Sequence, residues 1–230
     1  MKSPIVEKME PITLIGGGDV GENDLDLALS VAPTLVAADG GAEHAVARGH
    51  MPQAVIGDFD SLSWGVRQQI PEDRLFPVRE QDTTDFDKAL RNIQAPFVVG
   101  VGFLGGRVDH QLAVLNTLVQ RPGSPCVLLG PHEVVFHAPP RIELPIAPGS
   151  VVSLFPLARV TGRSLGLEWP IDQLVMEPGG QIGTSNRSTG LVTLEVDQPG
   201  LLVMVPREAF GVVTQAFHSA QRAQWPAHAE

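Results

Sequence analysis

The segment Ala54-Val55-Ile56-Gly57-Asp58-Phe59-Asp60-Ser61 shows how this chain is built, because an apolar run ends at glycine and acidic residues follow at once. The run Ala54–Ile56 is typical of a buried strand. In an extended segment the side chains at i and i+2 point the same way, which predicts that Asp58 and Asp60 aim their carboxylates at one place. Paired carboxylates need a proton or a cation between them, and oxygen ligands suit magnesium. A β-turn with a serine cap is the alternative, but it explains only one of the two aspartates.

Similar apolar runs recur through the first half of the chain and alternate with helical patterns. Strands are predicted at Ile12–Ile15, Thr34–Ala38, Ala54–Ile56, Phe97–Val101 and Cys126–Leu129. Helices are predicted at Asp24–Ser30, Ala42–Arg48, Phe86–Ile93 and Val108–Val119. This alternation indicates an α/β domain with a mainly parallel sheet. Ligands bind at the carboxyl ends of strands in such sheets, which is where the polar clusters of this sequence fall.

The second half has a different composition, rich in proline, glycine and β-branched residues from about Pro139. Short strands are predicted at Ser150–Phe155, Leu174–Met176, Leu191–Val196 and Leu201–Val205. They indicate a smaller all-β domain of sandwich or barrel type. We therefore predict an α/β domain over residues 1–138 and a β domain over residues 139–230, with the proline-rich Ala138–Pro148 as the boundary. Residues after Phe210, including Gln221–Glu230, are expected to be a poorly tied tail.

The net charge, the cysteine count and the length of the apolar stretches limit what kind of protein this can be. A formal net charge of −10 argues against nucleic-acid binding, which requires a basic face, but allows a nucleotide substrate. Cys126 is the single cysteine, so no intrachain disulfide can form and a reducing compartment is expected. Residues 1–11 lack the apolar run of a signal peptide, and no apolar stretch is long enough to span a bilayer. We expect a cytoplasmic protein without membrane partners.

Two glycine-containing turns follow predicted strands. Gly16, Gly18 and Gly21 match the G-x-G-x-x-G pattern of dinucleotide-binding proteins, with Asp39 at about the expected distance. A lone match is weak, acidic residues crowd the start of the next helix, and a purely structural turn is about as probable. Asp39 itself begins the turn Asp39-Gly40-Gly41-Ala42, where it can bind a ligand or cap the following helix, and capping explains it better.

The segment Asp82-Thr83-Thr84-Asp85-Phe86-Asp87-Lys88 resembles a helix start. Thr83 or Thr84 can cap the helix, and acidic residues in its first turn suit the helix dipole. Lys88 lies one turn after Asp85, where it can pair with that carboxylate or reach a phosphate near the helix start. The residues alone leave the cap and the phosphate site equally supported.

Three later features carry polar or aromatic groups. In Gly105-Gly106-Arg107-Val108-Asp109-His110, Arg107 can bind phosphate, and Asp109 can cap a helix, bind a ligand or hold Arg107. Thr184-Ser185-Asn186 is predicted to be a polar loop, with an ordinary turn as the alternative. Trp169 is either a core residue or an aromatic neighbour for a cationic ligand.

The order of these motifs is more specific than any of them alone. Gly-Asp-Phe-Asp-Ser at 57–61, Asp-Thr-Thr-Asp-Phe-Asp-Lys at 82–88, Gly-Gly-Arg-Val-Asp-His at 105–110 and Thr-Ser-Asn at 184–186 follow one another. In this order the chain resembles the thiamine pyrophosphokinase family over about Ile12–Val205. The resemblance implies an α/β domain that binds ATP and Mg²⁺, a β domain that contributes to thiamine binding, and a homodimer with thiamine at the subunit interface. It also implies transfer of the pyrophosphoryl group of ATP to the thiamine hydroxyl, giving thiamine diphosphate and AMP.

The resemblance further implies roles for individual residues. The magnesium ligands would be Asp58, Asp60 and Asp85, and the catalytic set would add Lys88. The ATP and phosphate contacts would be Asp39, Thr84, Lys88, Arg107 and Asp109. The thiamine contacts would be Asp109, Thr184, Ser185 and Asn186. Two other functions remain open from the residues: an NAD(P)-dependent oxidoreductase that uses the Gly16-Gly18-Gly21 turn, and a non-catalytic thiamine- or nucleotide-binding protein.

Overall fold

The structure is a computed structural model that describes residues 3–80, 82–219 and 224–226. The chain divides into two compact units. The first unit runs up to Thr117 and includes Leu128–Pro131, and the second comprises Leu118–Val127 and the chain from His132 onward.

The first unit alternates strands and helices. Its elements in chain order are β1 (Val6–Glu7), β2 (Ile12–Ile15), α1 (Asp24–Val31), β3 (Thr34–Ala38), α2 (Gly41–Ala47), β4 (Ala54–Gly57), α3 (Trp64–Arg67), β5 (Leu75–Pro77), α4 (Asp85–Leu90), β6 (Ile93–Gln94) and β7 (Val98–Val101). Helix α5 (Val108–Gln120) and strand β8 (Cys126–Leu129) follow, and each contributes residues to both units. The predicted strands and helices of this half are confirmed to within about three residues.

The strands of the first unit pair in parallel. β4 lies between β3 and β5, β2 pairs with β7, and β1 pairs with β6. Every residue of β2, β4 and β7 is buried, which explains why these strands read as unbroken apolar runs. These pairs are parallel, as expected for an α/β domain, and the carboxyl ends of β3 and β4 lie side by side. The finer description as one mainly parallel sheet stays a prediction.

The second unit is strand-rich and antiparallel. Its elements are β9 (Glu133–His137), β10 (Arg141–Pro145), β11 (Val151–Pro156), β12 (Gly162–Leu167), β13 (Gly183–Val196), β14 (Leu201–Pro206) and helix α6 (Phe210–Ser219). The long strand β13 pairs with β11 through its first residues and with β10 and β12 through its last. β14 pairs with β11 on one side and β9 on the other. The finer description as a sandwich or barrel stays a prediction.

One strand prediction in this half is wrong, and one observed strand was not predicted. Leu174–Met176 forms no strand, and Met176 makes isolated bridges to Val160 and Gln181. The proline-rich Ala138–Pro148, predicted as the boundary, contains β10, in which Ile142 and Leu144 are buried and alternate with exposed residues. Among the described strands β10 pairs with β13 alone, and an edge strand tolerates proline because one side of its backbone needs no partner.

The expected tail after Phe210 is in part a helix. α6 buries Phe210, Val213 and Phe217, and the ring of Phe217 meets Phe136 edge to face at 5.3 Å. A poorly tied tail is therefore wrong for residues 210–219. Of Gln221–Glu230 only residues 224–226 are described, where Trp225 Nε1 donates to the Ala138 carbonyl at 2.8 Å, and the rest lies outside the described residues.

The predicted domain boundary differs in detail from the division into compact units. The second unit includes 132–138 and 118–127, which the sequence assigned to the α/β domain. The boundary at Pro139 stays a prediction. Cys126 is buried, and no helix in the described ranges is both long and apolar enough to cross a membrane.

Candidate active site

Three aspartates meet at the carboxyl ends of β3 and β4. Asp39 follows β3, whereas Asp58 and Asp60 follow β4. One oxygen from each carboxylate lies within 4.8 Å of the others. We call Asp39, Asp58 and Asp60 the carboxylate cluster. The sequence predicts the Asp58/Asp60 pair, whereas for Asp39 it favours capping and the family resemblance implies an ATP contact. The place of Asp39 after the neighbouring parallel strand could have indicated that it joins the pair, and its ATP contact stays a prediction.

Asp39 is the buried member of the carboxylate cluster, with 1% of its surface exposed. Its Oδ2 accepts a hydrogen bond from Ser61 N at 3.1 Å, and its Oδ1 is buried without a partner among the described residues. Burial, partly offset by the Ser61 hydrogen bond and reinforced by the charge of Asp85, raises the pKa of Asp39 to about 6. The N-cap of α2 is Gly40, so the capping prediction for Asp39 is wrong. A buried carboxylate oxygen without a donor is what a cation would satisfy.

Local backbone geometry makes this close approach possible. Asp39 and Phe59 have φ values of 42° and 66°, in the left-handed region. Asp58 and Asp60 therefore converge through a bend at Phe59, and the expectation of an extended segment is wrong although the convergence itself is confirmed. A Cβ on Gly57 would lie 2.7 Å from Asp39 Cβ, so only glycine fits there.

A buried lysine connects the carboxylate cluster to helix α4. Lys88 is 2% exposed, and its Nζ donates to Asp58 Oδ2 at 2.6 Å and to Asp85 Oδ1 at 3.0 Å. The Lys88 hydrogen bond lowers the pKa of Asp58. Burial alone would lower the pKa of Lys88, but the two carboxylates outweigh it and the net shift is upward. Lys88 is thus a charged tether between Asp58 and Asp85, and its expected phosphate contact stays a prediction.

Helix α4 starts where the sequence indicated. Thr84 is its N-cap, and Thr84 Oγ1 accepts from Asp87 N at 3.3 Å. This cap places Asp85 in the first turn and Lys88 one turn later on the same face. The cap interpretation of Thr84 is confirmed, and its predicted phosphate contact is untested.

Arg107 and Asp109 pair with each other at the start of α5. Arg107 Nε lies 3.1 Å from Asp109 Oδ1, and Arg107 Nη2 lies 2.6 Å from Asp109 Oδ2. Both side chains are exposed, so the pair contributes little to stability. Their predicted roles toward ATP and thiamine stay predictions.

The Thr184-Ser185-Asn186 segment is part of strand β13, and the predicted polar loop is wrong. Thr184 and Ser185 are exposed, and Ser185 has a φ of 62° that bends the strand. Asn186 is buried, with its carboxamide bonded to backbone groups of Trp169 and Arg187. Trp169 is 56% exposed and is therefore not a core residue.

The glycine-rich turn after β2 is explained by packing. A Cβ on Gly16 would lie 2.7 Å from the Gly102 carbonyl oxygen, and one on Gly18 would lie at the same distance from it. Gly21 N donates to Asp24 Oδ2 at 2.9 Å, so a carboxylate already occupies this backbone donor. These contacts do not favour the dinucleotide interpretation.

Comparison with known proteins gives one consistent result. Residues 25–128 match the family described as "Thiamin pyrophosphokinase, catalytic domain", and residues 138–201 match "Thiamin pyrophosphokinase, vitamin B1 binding domain". The chain is 29% identical to Thiamine pyrophosphokinase 3 of Oryza sativa subsp. japonica over 194 residues, which are 67% of this chain and 71% of that protein. It is also 29% identical to Thiamine pyrophosphokinase 2 of Arabidopsis thaliana over 174 residues, 64% of this chain and 63% of that protein. The match thus spans less than two thirds of the Arabidopsis protein.

Solved structures agree at the level of the fold. Thiamin pyrophosphokinase from Candida albicans superposes with a TM-score of 0.72 at 15% identity, covering 90% of this chain and 95% of that one. Thiamine pyrophosphokinase from Bacillus subtilis gives a TM-score of 0.69 at 21% identity, covering 86% and 98%.

Proposed function

Because the chain belongs to the thiamin pyrophosphokinase family, we propose that it transfers the pyrophosphoryl group of ATP to the hydroxyl of thiamine. The products are thiamine diphosphate and AMP. The observation that carries this proposal in the structure is the carboxylate cluster at the carboxyl ends of two parallel strands, where α/β sheets bind their ligands. The oxidoreductase alternative would leave this cluster without a role.

The carboxylate cluster suits a magnesium ion. It offers only oxygen ligands, and Asp39 Oδ1, a buried acceptor without a donor in the described part of the chain, suits a bound cation. We propose that Asp39, Asp58 and Asp60 hold Mg²⁺, with Asp85 as the further ligand predicted from the sequence. A bound Mg²⁺ would neutralise the charge that builds up on the phosphate oxygens during transfer.

The protein's own groups prepare this site. The hydrogen bond from Lys88 favours the ionised form of Asp58, because it lowers the pKa of that carboxyl group. Thr84 fixes the start of α4, and this sets the positions of Asp85 and Lys88. Most catalysis of phosphoryl transfer comes from positioning and charge stabilisation, so a rigid cluster of this kind is what the reaction requires.

Thiamine carries a cationic ring, which favours an acidic and aromatic site. We propose that Trp169, Thr184 and Ser185 in the second unit contact thiamine, because all three side chains are exposed. Asp109 stays a predicted contact of both substrates, and Arg107 stays a predicted contact of ATP.

We further propose a cytoplasmic homodimer, as the family resemblance implies. Exposed leucines such as Leu165, 72% exposed, and Leu191, 53% exposed, are consistent with a covered surface.

An AMP-release assay tests the proposed reaction directly. The purified protein is incubated with ATP and thiamine, with Mg²⁺ or with EDTA, and the products are separated by chromatography. We expect thiamine diphosphate and AMP in equal amounts, and only with Mg²⁺. Formation of ADP would contradict pyrophosphoryl transfer, and binding of both substrates without turnover would identify a non-catalytic binding protein.

Asp60→Asn tests the role of the carboxylate cluster. Asp60 is exposed, so the fold should survive while a metal ligand loses its charge. We expect kcat to fall by about 100-fold or more, because metal stabilisation of the phosphate charge is lost. Asp73→Asn removes an exposed acid from the turn before β5 and should leave kcat within about twofold. Wild-type turnover in D60N would remove Asp60 from the metal site.

A further inference from the structure

The carboxamide of Asn186 is engaged by protein backbone. Asn186 Oδ1 accepts from Trp169 N at 3.1 Å and from Arg187 N at 2.8 Å, and Nδ2 donates to the Trp169 carbonyl oxygen at 2.6 Å. The side chain is buried, with 4% of the residue exposed. An amide N–H needs an acceptor and a carbonyl needs a donor, so the two Trp169 contacts also fix which way the carboxamide points. Both lone pairs of Oδ1 are therefore used within the protein.

The segment around Trp169 is pinned at both ends. Before it, Glu168 N donates to the Arg187 carbonyl oxygen at 2.8 Å. After it, Ile171 N donates to Ser164 Oγ at 3.0 Å. The backbone between these contacts is thus held against β12 and β13, and Pro170 restricts it further.

These contacts hold the backbone of a residue whose aromatic side chain is exposed. Trp169 is 56% exposed, so its indole contributes only part of its area to the core. Ordering a backbone segment costs conformational entropy, and packing alone does not explain why the Asn186 side chain makes two hydrogen bonds to the backbone of one exposed tryptophan. A rigid exposed aromatic ring lowers the entropic cost of binding a flat ligand.

We infer that Asn186 is a positioning residue, which acts on thiamine binding by holding the backbone of Trp169 and does not itself contact the substrate. This assigns Asn186 a role different from the direct thiamine contact that the family resemblance implied. The inference rests on the proposed function, because it takes thiamine as the ligand of the Trp169 indole.

Steady-state kinetics of Asn186→Ala provide the first test. We expect the KM for thiamine to rise by about tenfold, which corresponds to the loss of about one well-placed contact, while the KM for ATP stays within about twofold. Ser188→Ala is the matched control. Ser188 lies two residues further on β13, is also buried, and donates its own hydrogen bond to the Ala147 carbonyl oxygen at 2.5 Å. S188A should lower thermal stability without raising the KM for thiamine.

A double-mutant cycle with Trp169→Ala separates positioning from direct contact. If Asn186 acts through the tryptophan, N186A will not raise the KM for thiamine further in the W169A protein. Additive effects of the two substitutions would show that Asn186 touches the substrate and would overturn the inference. An unchanged KM for thiamine in N186A, or an equal rise in S188A, would also overturn it. If N186A does not fold, Asn186→Asp keeps the side-chain volume but sets an acceptor oxygen against the Trp169 carbonyl, and it should also raise the KM for thiamine.

Fluorescence gives a readout that does not depend on the reaction. The chain has three tryptophans, so Trp64→Phe combined with Trp225→Phe leaves Trp169 as the single emitter. In this background N186A should increase acrylamide quenching and lower the anisotropy of Trp169, whereas S188A should not. Unchanged quenching and anisotropy would overturn the positioning role. A wild-type protein that forms no thiamine diphosphate would instead overturn the proposed function, and the fluorescence result would still decide whether Asn186 holds Trp169.

Discussion

At the scale of single residues, burial changes what a charged side chain does in this protein. Lys88 would be an ordinary surface cation on many helices, but here its ammonium group is enclosed and faces two carboxylates. Its charge is retained because the hydrogen bonds that it donates to Asp58 and Asp85 outweigh the cost of burial. The result is a fixed positive charge beneath the carboxylate cluster, which lets Asp58 stay ionised next to other acids.

Lys88→Met should destabilise the protein. The substitution leaves Asp58 and Asp85 facing each other without a cation, and we expect a loss of about 3 kcal/mol in the free energy of unfolding, the low end for breaking a buried pair. Urea unfolding in EDTA measures it, with Lys8→Met, at a partly exposed position, as the control. A loss no larger than that of K8M would contradict the tether role.

His137 should make stability depend on pH. Burial lowers its pKa from 6.5 to about 4, and its Nε2 accepts from Gly200 N at 2.8 Å. The unfolded chain takes up a proton near pH 6.5 and the folded chain does not until about pH 4, so stability falls as pH decreases through this window, by up to about 3 kcal/mol. In His137→Gln this part of the loss should disappear, as measured by urea unfolding between pH 4.5 and 7. The same pH slope in H137Q and wild type would contradict it, and the exposed His132→Gln should keep the wild-type slope.

At the scale of elements, a single strand can have more than one structural role. β13 pairs with three other strands and also carries Asn186, which holds Trp169. α6 closes over the second unit after the last strand and buries an apolar face. Its pattern of buried residues at 210, 213, 214 and 217 follows helical spacing, which sequence analysis overlooked.

Phe217→Ala tests whether α6 is integral to the fold. Phe217 is buried and packs on Phe136, so its removal should lower the free energy of unfolding by about 3–5 kcal/mol. Gln215→Ala changes an exposed position of the same helix and should have an effect below about 0.5 kcal/mol. Thermal or urea unfolding of both variants measures the difference. If F217A unfolds like Q215A, the helix contributes nothing to the stability of the second unit.

At the scale of the whole molecule, the residues proposed to bind Mg²⁺ and those proposed to contact thiamine belong to different compact units. The carboxylate cluster and Lys88 lie in the first unit, and Trp169, Thr184 and Ser185 lie in the second. The proposed homodimer predicts a solution mass of twice the 24.6 kDa of one chain. Light scattering after size-exclusion chromatography measures this mass, and a mass of one chain at concentrations that support turnover would contradict the dimer.

The strands of the first unit were predicted more accurately than those of the second. Thr34–Ala38 and Cys126–Leu129 were predicted with their observed bounds, because buried parallel strands are unbroken apolar runs. The Leu174–Met176 prediction is wrong because a three-residue apolar run is too short to identify a strand. β10 was missed because the surrounding prolines indicated a boundary, although Ile142 and Leu144 alternate with polar residues.

The sequence by itself determined the alternation of strands and helices in the first unit, the position of the Asp58/Asp60 pair and a helix start near Thr83 or Thr84, since these depend on neighbours within a few residues. Only the tertiary structure decided that Asp39 joins the carboxylate cluster, that Lys88 is a buried tether and that Asn186 is occupied by Trp169. These three roles depend on contacts between residues 17 to 30 positions apart in the chain. They also depend on burial, which shifts the pKa of a charged group and requires a polar group to find its hydrogen-bond partners within the protein. No local pattern in the chain encodes those contacts.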